Sequence, residues 1–178
     1  RLEDGEPLPY VLGHWEFYSR DFNITPDVLI PRPETELLIE KALDWLRDNP
    51  DRRSVADVGT GSGCIAVTLA AEVIDVNIVA TDISIPALKI AHCNALKHGV
   101  VNKIAFVQCN LLPPKGRPIN ADSDMAPKIR RPTTFDLITA NLPYLPSEQL
   151  NNLDIYQKEQ ISELKKGGYS KSIIEGKT

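Results

Sequence analysis

Between residues 54 and 140, short apolar runs alternate with helical patterns, and this rhythm restricts the fold more than any other feature. The run Ser54–Val58 ends at Gly59, residues 77–81 close on Asp82, residues 103–108 follow, and residues 135–140 run into Asn141. Residues 65–73 and 85–98 carry apolar side chains at helical spacing, and Gly99 stops the second of these segments. A crossover helix returns the chain to the same end of a sheet, so strands joined in this way lie parallel. Such crossovers are right-handed almost without exception. The expected architecture is α/β, built on an open parallel sheet.

The flanks follow other patterns. Trp15 and Phe17, then Phe22 and Ile24, alternate with polar neighbours around Ser19-Arg20-Asp21, which predicts a β-hairpin. Pro31-Arg32-Pro33 stops the extended chain, and residues 34–46 read as an amphipathic helix. Its apolar stripe contains Leu38, Ala42, Trp45 and Leu46, widened by Leu37, Ile39 and Leu43. Proline is tolerated where that helix starts, Glu34 and Glu36 suit its positive end, and Asn49-Pro50 ends it. Residues 113–134 hold Pro, Lys, Arg, Asp and Asn without periodicity and are expected to form a flexible loop. Within it Lys128, Arg130 and Arg131 read as solvated charge. Beyond Tyr144 the pattern fades. The 178 residues therefore divide into an N-terminal linker and β-hairpin, 1–33, and one main domain, 34–178, large enough to bury a core without metals or disulfides. The chain opens at Arg1 without an initiator Met, which reads as a fragment of something longer.

Asp57-Val58-Gly59-Thr60-Gly61-Ser62-Gly63-Cys64 joins the first apolar strand to a helix. Glycine lets a backbone turn sharply and approach a ligand closely, and amides at a helix start suit an anion. Asp82 ends the next strand, at the distance where an acid bonds the hydroxyls of a ribose. A dinucleotide fingerprint counted from Gly59 needs its third glycine at position 64, which is Cys64. A G-x-G-x-G loop behind an acid resembles motif one of the S-adenosylmethionine-dependent methyltransferases. That resemblance implies a cofactor cradled by Gly59, Thr60, Gly61, Ser62 and Gly63, with Asp57 facing the amino end of its methionine part and Asp82 on its ribose. A plain glycine turn and a nicotinamide dinucleotide site are the alternatives.

Asn141-Leu142-Pro143-Tyr144 follows the fourth predicted strand. Ligands of open α/β sheets bind outside the carboxyl ends of the strands, so this tetrapeptide and the glycine loop face one crevice. The chemistry it suits is methyl transfer to a planar nitrogen. The lone pair of such a nitrogen is delocalised, and the group must be held so that it points at the methyl donor. The side-chain oxygen of Asn141 and the main-chain carbonyl of Leu142 can accept its two N–H groups, Pro143 stiffens the turn, and Tyr144 stacks on the flat group. Positioning of this kind contributes up to ~7–11 kcal/mol, and acceptors placed for charge developing at nitrogen add to it. A strand-end turn is the plainer alternative, since Asn and Pro are common turn residues.

Further stretches carry a closer resemblance. Gly5-Glu6-Pro7-Leu8-Pro9-Tyr10-Val11-Leu12-Gly13, Val28-Leu29-Ile30-Pro31-Arg32-Pro33-Glu34-Thr35-Glu36, Thr81-Asp82-Ile83-Ser84 and Asn141 to Tyr144 together resemble the peptide chain release factor glutamine N5-methyltransferases, the HemK/PrmC family, from about Gly5 to Glu159. The resemblance implies a Rossmann-like class I S-adenosylmethionine-dependent methyltransferase core, truncated at its C-terminus and preceded by the hairpin. It implies N5-methylation of the glutamine in the Gly-Gly-Gln motif of release factors, with S-adenosylmethionine as donor and S-adenosylhomocysteine as product. Asn141 and the Leu142 carbonyl would bind the glutamine amide, and Tyr144 would pack on it. Residues 32–36 would lie beside the pocket, with Asn141 also close to the cofactor. Leu142 replaces the first proline of the family's Asn-Pro-Pro-Tyr, Asn110 replaces an Asp that meets the adenine, and Glu159-Gln160 replaces Glu-Pro. Asn110 can still bond an adenine edge, and Leu111 would supply apolar contact to the ring. The family's N-terminal helical domain and last strands have no counterpart.

With 20 basic against 24 acidic residues, the formal charge of −4 excludes a basic nucleic-acid footprint over the whole chain. Methylation of an exocyclic amine in DNA or rRNA is the runner-up activity, and a non-catalytic cofactor-binding fragment the third reading. No apolar run reaches membrane-spanning length. Cys64, Cys93 and Cys109 lack metal-like spacing and read as reduced thiols of a cytosolic protein, with Cys64 and Cys93 packing in their helices. His14, His92 and His98 form no ligand set, so no metal is expected. The last parallel strand would have a neighbour on one side only, which predicts a marginal fold or pairing of that edge with a dimer partner.

Overall fold

The computed structural model describes residues 2, 3, 5–112 and 134–141. The expected loop other than Thr134, the residues Leu142, Pro143 and Tyr144, and the whole chain after them lie outside the described residues. In chain order the elements are α1 (Leu8–Leu12), β1 (His14–Phe17), β2 (Arg20–Asn23), α2 (Glu34–Asp48), β3 (Ser54–Val58), α3 (Cys64–Glu72), β4 (Asn77–Asp82), α4 (Ile85–Lys97), β5 (Ile104–Gln108) and β6 (Leu137–Ala140). A 3-10 turn, Val101–Lys103, leads into β5.

Four strands form a parallel sheet in the order β5-β4-β3-β6, and β1 pairs with β2 antiparallel. The alternation of side chains along each strand divides the interior. Val55, Ile78, Ala80, Ile104, Phe106 and Leu137 join one large cluster, while Val79, Ala105 and Val107 join a second with Cys109 and Phe135. Strands apolar on both faces are what a covered parallel sheet requires. Helix α3 is buried from Cys64 to Ala70, so its apolar residues run all round rather than along a stripe. Phe17, Phe22, Ile24 and Val28 enter the large cluster beside Ile39, Leu46, Leu69 and Leu88, so the hairpin packs onto the same core as the sheet. Among the described residues β6 pairs only with β3.

The N-terminal segment departs from expectation in three places. Helix α1 stands where a linker was expected; it follows Pro7, and left-handed Gly13 (φ 79°) closes it. The hairpin turns at Tyr18-Ser19, and Arg20 and Asp21 belong to β2. Both turn residues are left-handed (φ 49° and 55°), the twist a two-residue hairpin needs but one that usually calls for Asn or Gly. Tertiary bonds support it: the Tyr18 amide donates to Glu36 Oε1 at 2.8 Å, and Arg20 Nη1 donates to the Tyr18 carbonyl at 3.2 Å. Third, the buried line of α2 is Thr35, Ile39, Ala42 and Leu46. Leu38, Leu43 and Trp45 flank it, and Leu37 is 56% exposed, because it sits two residues off that line.

Candidate functional site

Val58, the last residue of β3, pairs with Thr81 on one side and Ala140 on the other. The next residues, Gly59, Asp82 and Asn141, therefore leave three adjacent strands at one level, with strands roughly 4.8 Å apart. From β3 the chain steps outward to β4 and β5, then returns to β6 on the opposite side. The order reverses between β3 and β6, and open α/β sheets bind ligands in the crevice at such a point.

The loop after β3 alternates left-handed glycines, Gly59 (φ 68°), Gly61 (56°) and Gly63 (80°). The Thr60 amide donates to the Thr81 carbonyl at 2.9 Å, and the Gly63 amide to the Thr60 carbonyl at 2.8 Å. Among the described residues a Cβ on Gly61 would meet nothing nearer than the Gly59 carbonyl oxygen at 4.0 Å, so they leave that side of the loop open. On Gly63 it would lie 2.9 Å from the Ala91 Cβ, because α3 starts directly against α4. Ser62 is buried, and its carbonyl accepts from Asn94 Nδ2 at 2.8 Å.

Asp57 is 0% exposed. Its Oδ2 accepts from the Thr60 hydroxyl at 2.6 Å and its Oδ1 from the Thr139 hydroxyl at 2.8 Å. Burial pushes its carboxyl up to about 6, although the two hydroxyls favour the ionised form. Asp57 thus ties the start of the glycine loop to β6, and its carboxylate lies beneath the loop surface. Asp82 is half-buried; Oδ2 accepts from the Gly61 amide at 3.0 Å and Oδ1 from the Ser84 amide at 2.9 Å. Ser84 in turn caps α4 by accepting from the Ala87 amide at 3.2 Å. A carboxylate offers about four acceptor positions, so each Asp82 oxygen keeps capacity for a further donor.

After β5, Asn110 is exposed and Leu111 is left-handed at φ 64°. Leucine disfavours that conformation, and it persists where surroundings over-determine it. Here the Leu111 carbonyl accepts from the Thr81 hydroxyl at 2.6 Å and lies 3.6 Å from Cys109 Sγ. Asn141 is exposed, and its Nδ2 donates to the hydroxyl oxygen of buried Thr35 at 2.9 Å. The first turn of α2 therefore reaches the end of β6.

The structure gathers Asp57, Gly59 to Gly63, Asp82, Asn110, Leu111 and Asn141 at one end of the sheet, while Leu142, Pro143 and Tyr144 lie outside the described residues. Sequence reasoning missed Thr139, Asn94 and the contact of Thr35. Two of them left a signal: Thr139 interrupts an apolar strand, and Asn94 shares the buried line of Ala87 and Ala91. Burial pushes the Cys64 thiol up to about 12 and that of Cys109 up to about 11, which favours the protonated thiol in both. Cys93 is exposed, contrary to the packing role expected of it, because α4 turns that position away from the core. Among the described residues no group of His, Cys, Asp and Glu could hold a metal ion, and no helix is long and apolar enough to cross a membrane.

A protein of Nitratidesulfovibrio vulgaris named release factor glutamine methyltransferase is 44% identical over 153 residues, covering 86% of this chain and 46% of the relative. One of Neisseria gonorrhoeae with the same name is 40% identical over 164 residues, covering 91% of this chain and 54% of the relative. The chain thus spans about half the length of the curated relatives it matches. Among solved structures, the N-terminal domain of human METTL16 in complex with SAH superposes with a TM-score of 0.52 at 19% identity, covering 81% of this chain and 55% of that one. The Pyrococcus abyssi tRNA (uracil-54, C5)-methyltransferase with S-adenosyl-L-homocysteine gives 0.53 at 15%, covering 86% and 32%. These two likenesses establish the class I methyltransferase fold. The methyltransferase small domain family matches residues 34–158, from the start of α2 to beyond the strand that delivers Asn141, and the chain belongs to that family.

Proposed function

We propose that this chain carries the catalytic core of a methyltransferase that methylates N5 of the glutamine in the Gly-Gly-Gln motif of peptide chain release factors, with S-adenosylmethionine as donor. The observation that carries the reading is the convergence of Gly59, Asp82 and Asn141 on adjacent strand ends, in a chain 44% identical to a protein named for that reaction.

The residues present fit the donor. The open side of Gly61 offers room for its methionine part, and the free acceptor positions of Asp82 suit its ribose hydroxyls. Asn110 and Leu111 stand beyond Asp82 for the adenine. Bound there, S-adenosylmethionine supplies the methyl group on its sulfonium and leaves as S-adenosylhomocysteine. The protein's part is to hold the acceptor. Asn141 Oδ1 takes one N–H of the glutamine amide and the Leu142 carbonyl the other, so that the nitrogen lone pair faces the methyl group. By the sequence motif, Pro143 would stiffen that turn and Tyr144 would stack on the flat carboxamide. The nitrogen becomes far more acidic once alkylated, so water suffices to remove its proton. Orientation and desolvation are the main contributions.

The test is incubation of the full-length protein with a release factor and donor. Mass spectrometry should find one added methyl on the Gly-Gly-Gln peptide, and Asn141→Ala should abolish it while leaving much donor binding. Methylation of DNA or rRNA in place of the peptide overturns the substrate, and donor binding without any transfer overturns the enzyme.

A further inference from the structure

We infer that Thr81 is a positioning residue for the base of the donor: its hydroxyl holds the turn after β5, residues 109–111, in the shape that meets the adenine. This rests on the donor binding proposed above. The direction of the bond has one reading. A main-chain carbonyl only accepts, so the Thr81 hydroxyl donates its proton to the Leu111 carbonyl at 2.6 Å. Thr81 is 0% exposed, which keeps bulk water from competing for that proton.

The conformation held in this way is one that leucine disfavours, with Leu111 at φ 64°. The turn is tied to β4 at a second point, where the Cys109 amide donates to the Asp82 carbonyl at 3.1 Å. Asn110 stands between the two anchors, beside the strand end that carries the ribose acid. The main chain of Thr81 meets the other half of the site, since its carbonyl accepts from the Thr60 amide at 2.9 Å. Thr81 therefore reaches the glycine loop with its backbone and the base-side turn with its side chain. The Cys109 thiol also lies 3.6 Å from the Leu111 carbonyl, but a thiol is a weak donor. Without the Thr81 proton little keeps φ of Leu111 positive, and relaxation to a negative φ redirects Asn110 and Leu111 together.

The experiment measures by calorimetry, on the full-length protein, the binding of S-adenosylhomocysteine and of methylthioadenosine. The second ligand has the same base and ribose but lacks the amino acid that the glycine loop would face. Thr81→Val keeps the shape of the side chain and removes the proton, while Thr81→Ser keeps the proton. Thr81→Val should weaken both ligands by the same factor, roughly three- to tenfold, the range for one lost hydrogen bond. Its Tm should change little, and Thr81→Ser should bind both ligands as wild type does. Wild-type affinity for both ligands in Thr81→Val overturns the inference and leaves the parent reading standing. A loss confined to S-adenosylhomocysteine also overturns it, because Thr81 would then act on the methionine side through the glycine loop. So does an equal loss in Thr81→Ser, or a Thr81→Val protein that fails to fold, since the hydroxyl would then serve the fold. Wild-type protein that binds neither ligand rejects the donor reading, and this one with it.

Discussion

The hydroxyl of Thr139 donates to Oδ1 of Asp57 at 2.8 Å, two residues before Asn141. The same hydroxyl lies 3.3 Å from the Ala56 carbonyl, and the other Asp57 oxygen holds Thr60. One buried carboxylate therefore fixes the glycine loop and the strand that delivers Asn141 relative to each other. Thr139→Val keeps the shape and leaves that carboxylate one donor short. The expected loss is about 1–3 kcal/mol, the penalty of an unsatisfied buried polar group. Urea unfolding should show a larger loss at pH 7.5 than at pH 4.5, because the neutral acid depends less on the donor.

Asp57 also predicts a pH profile. An ordinary Asp titrates near 3.8, and burial raises this one to about 6 in the folded protein. Between these values the folded state binds more protons than the unfolded state, so stability falls as pH rises from about 4 to about 6, and is level above. The two-unit difference corresponds to about 2–3 kcal/mol. Asp57→Asn removes this titration. The stability of wild type relative to Asp57→Asn should therefore decline across that window; parallel profiles would mean that Asp57 keeps its ordinary value.

The sheet was legible in the sequence because its strands are apolar on both faces and its turns carry Gly59, Asp82, Gly99 and Asn141. Their ends agree within two residues of expectation, β3 without change and β6 starting at Leu137 rather than Phe135. The site residues were legible where backbone chemistry restricts the residue type, as in the glycine loop. Contacts made by ordinary side chains were not. Nothing in the identity of Thr35 or Asn94 says which distant element it meets, and separations of 106 residues to Asn141 and 71 to Asn23 leave no local pattern. The Tyr18-Ser19 turn escaped for the same reason, since Glu36 and Arg20 stabilise a conformation that the local sequence disfavours.

Gly63 tests the fit of loop to helix. Alanine there must hold φ 80° and place its Cβ 2.9 Å from that of Ala91, so strain and overlap combine. A left-handed non-glycine residue costs about 1–2 kcal/mol, and crowding of a packed interior about 1–3 kcal/mol more. Gly63→Ala should lower Tm strongly, and Ala91→Gly in the same chain should recover at most part of the crowding, because the Ala91 Cα would still lie 3.1 Å from the new Cβ and a glycine inside α4 costs about 1 kcal/mol. Full recovery would show that the backbone conformation is not strained.

Asn94 makes the sharpest contrast between buried and exposed bonding. Its side chain is 0% exposed and serves three partners: Oδ1 accepts from the Asn23 amide at 2.8 Å, and Nδ2 donates to the carbonyls of Asn23 at 3.1 Å and Ser62 at 2.8 Å. It joins the hairpin, α4 and the glycine loop at one point. Arg20 and Glu72 join the hairpin to α3 at 2.6 Å, but 24% and 36% of their side chains remain exposed, so water and salt weaken that pair. Glu72→Gln, which touches only that pair, should therefore change stability by about 1 kcal/mol or less, whereas Asn94→Ala strands several buried groups and should lose about 2–4 kcal/mol. Because Ser62 loses its anchor, Asn94→Ala should also weaken donor binding, read by calorimetry on whatever fraction stays folded. Equal effects of the two substitutions would mean that the glycine loop keeps its shape without the hairpin behind it.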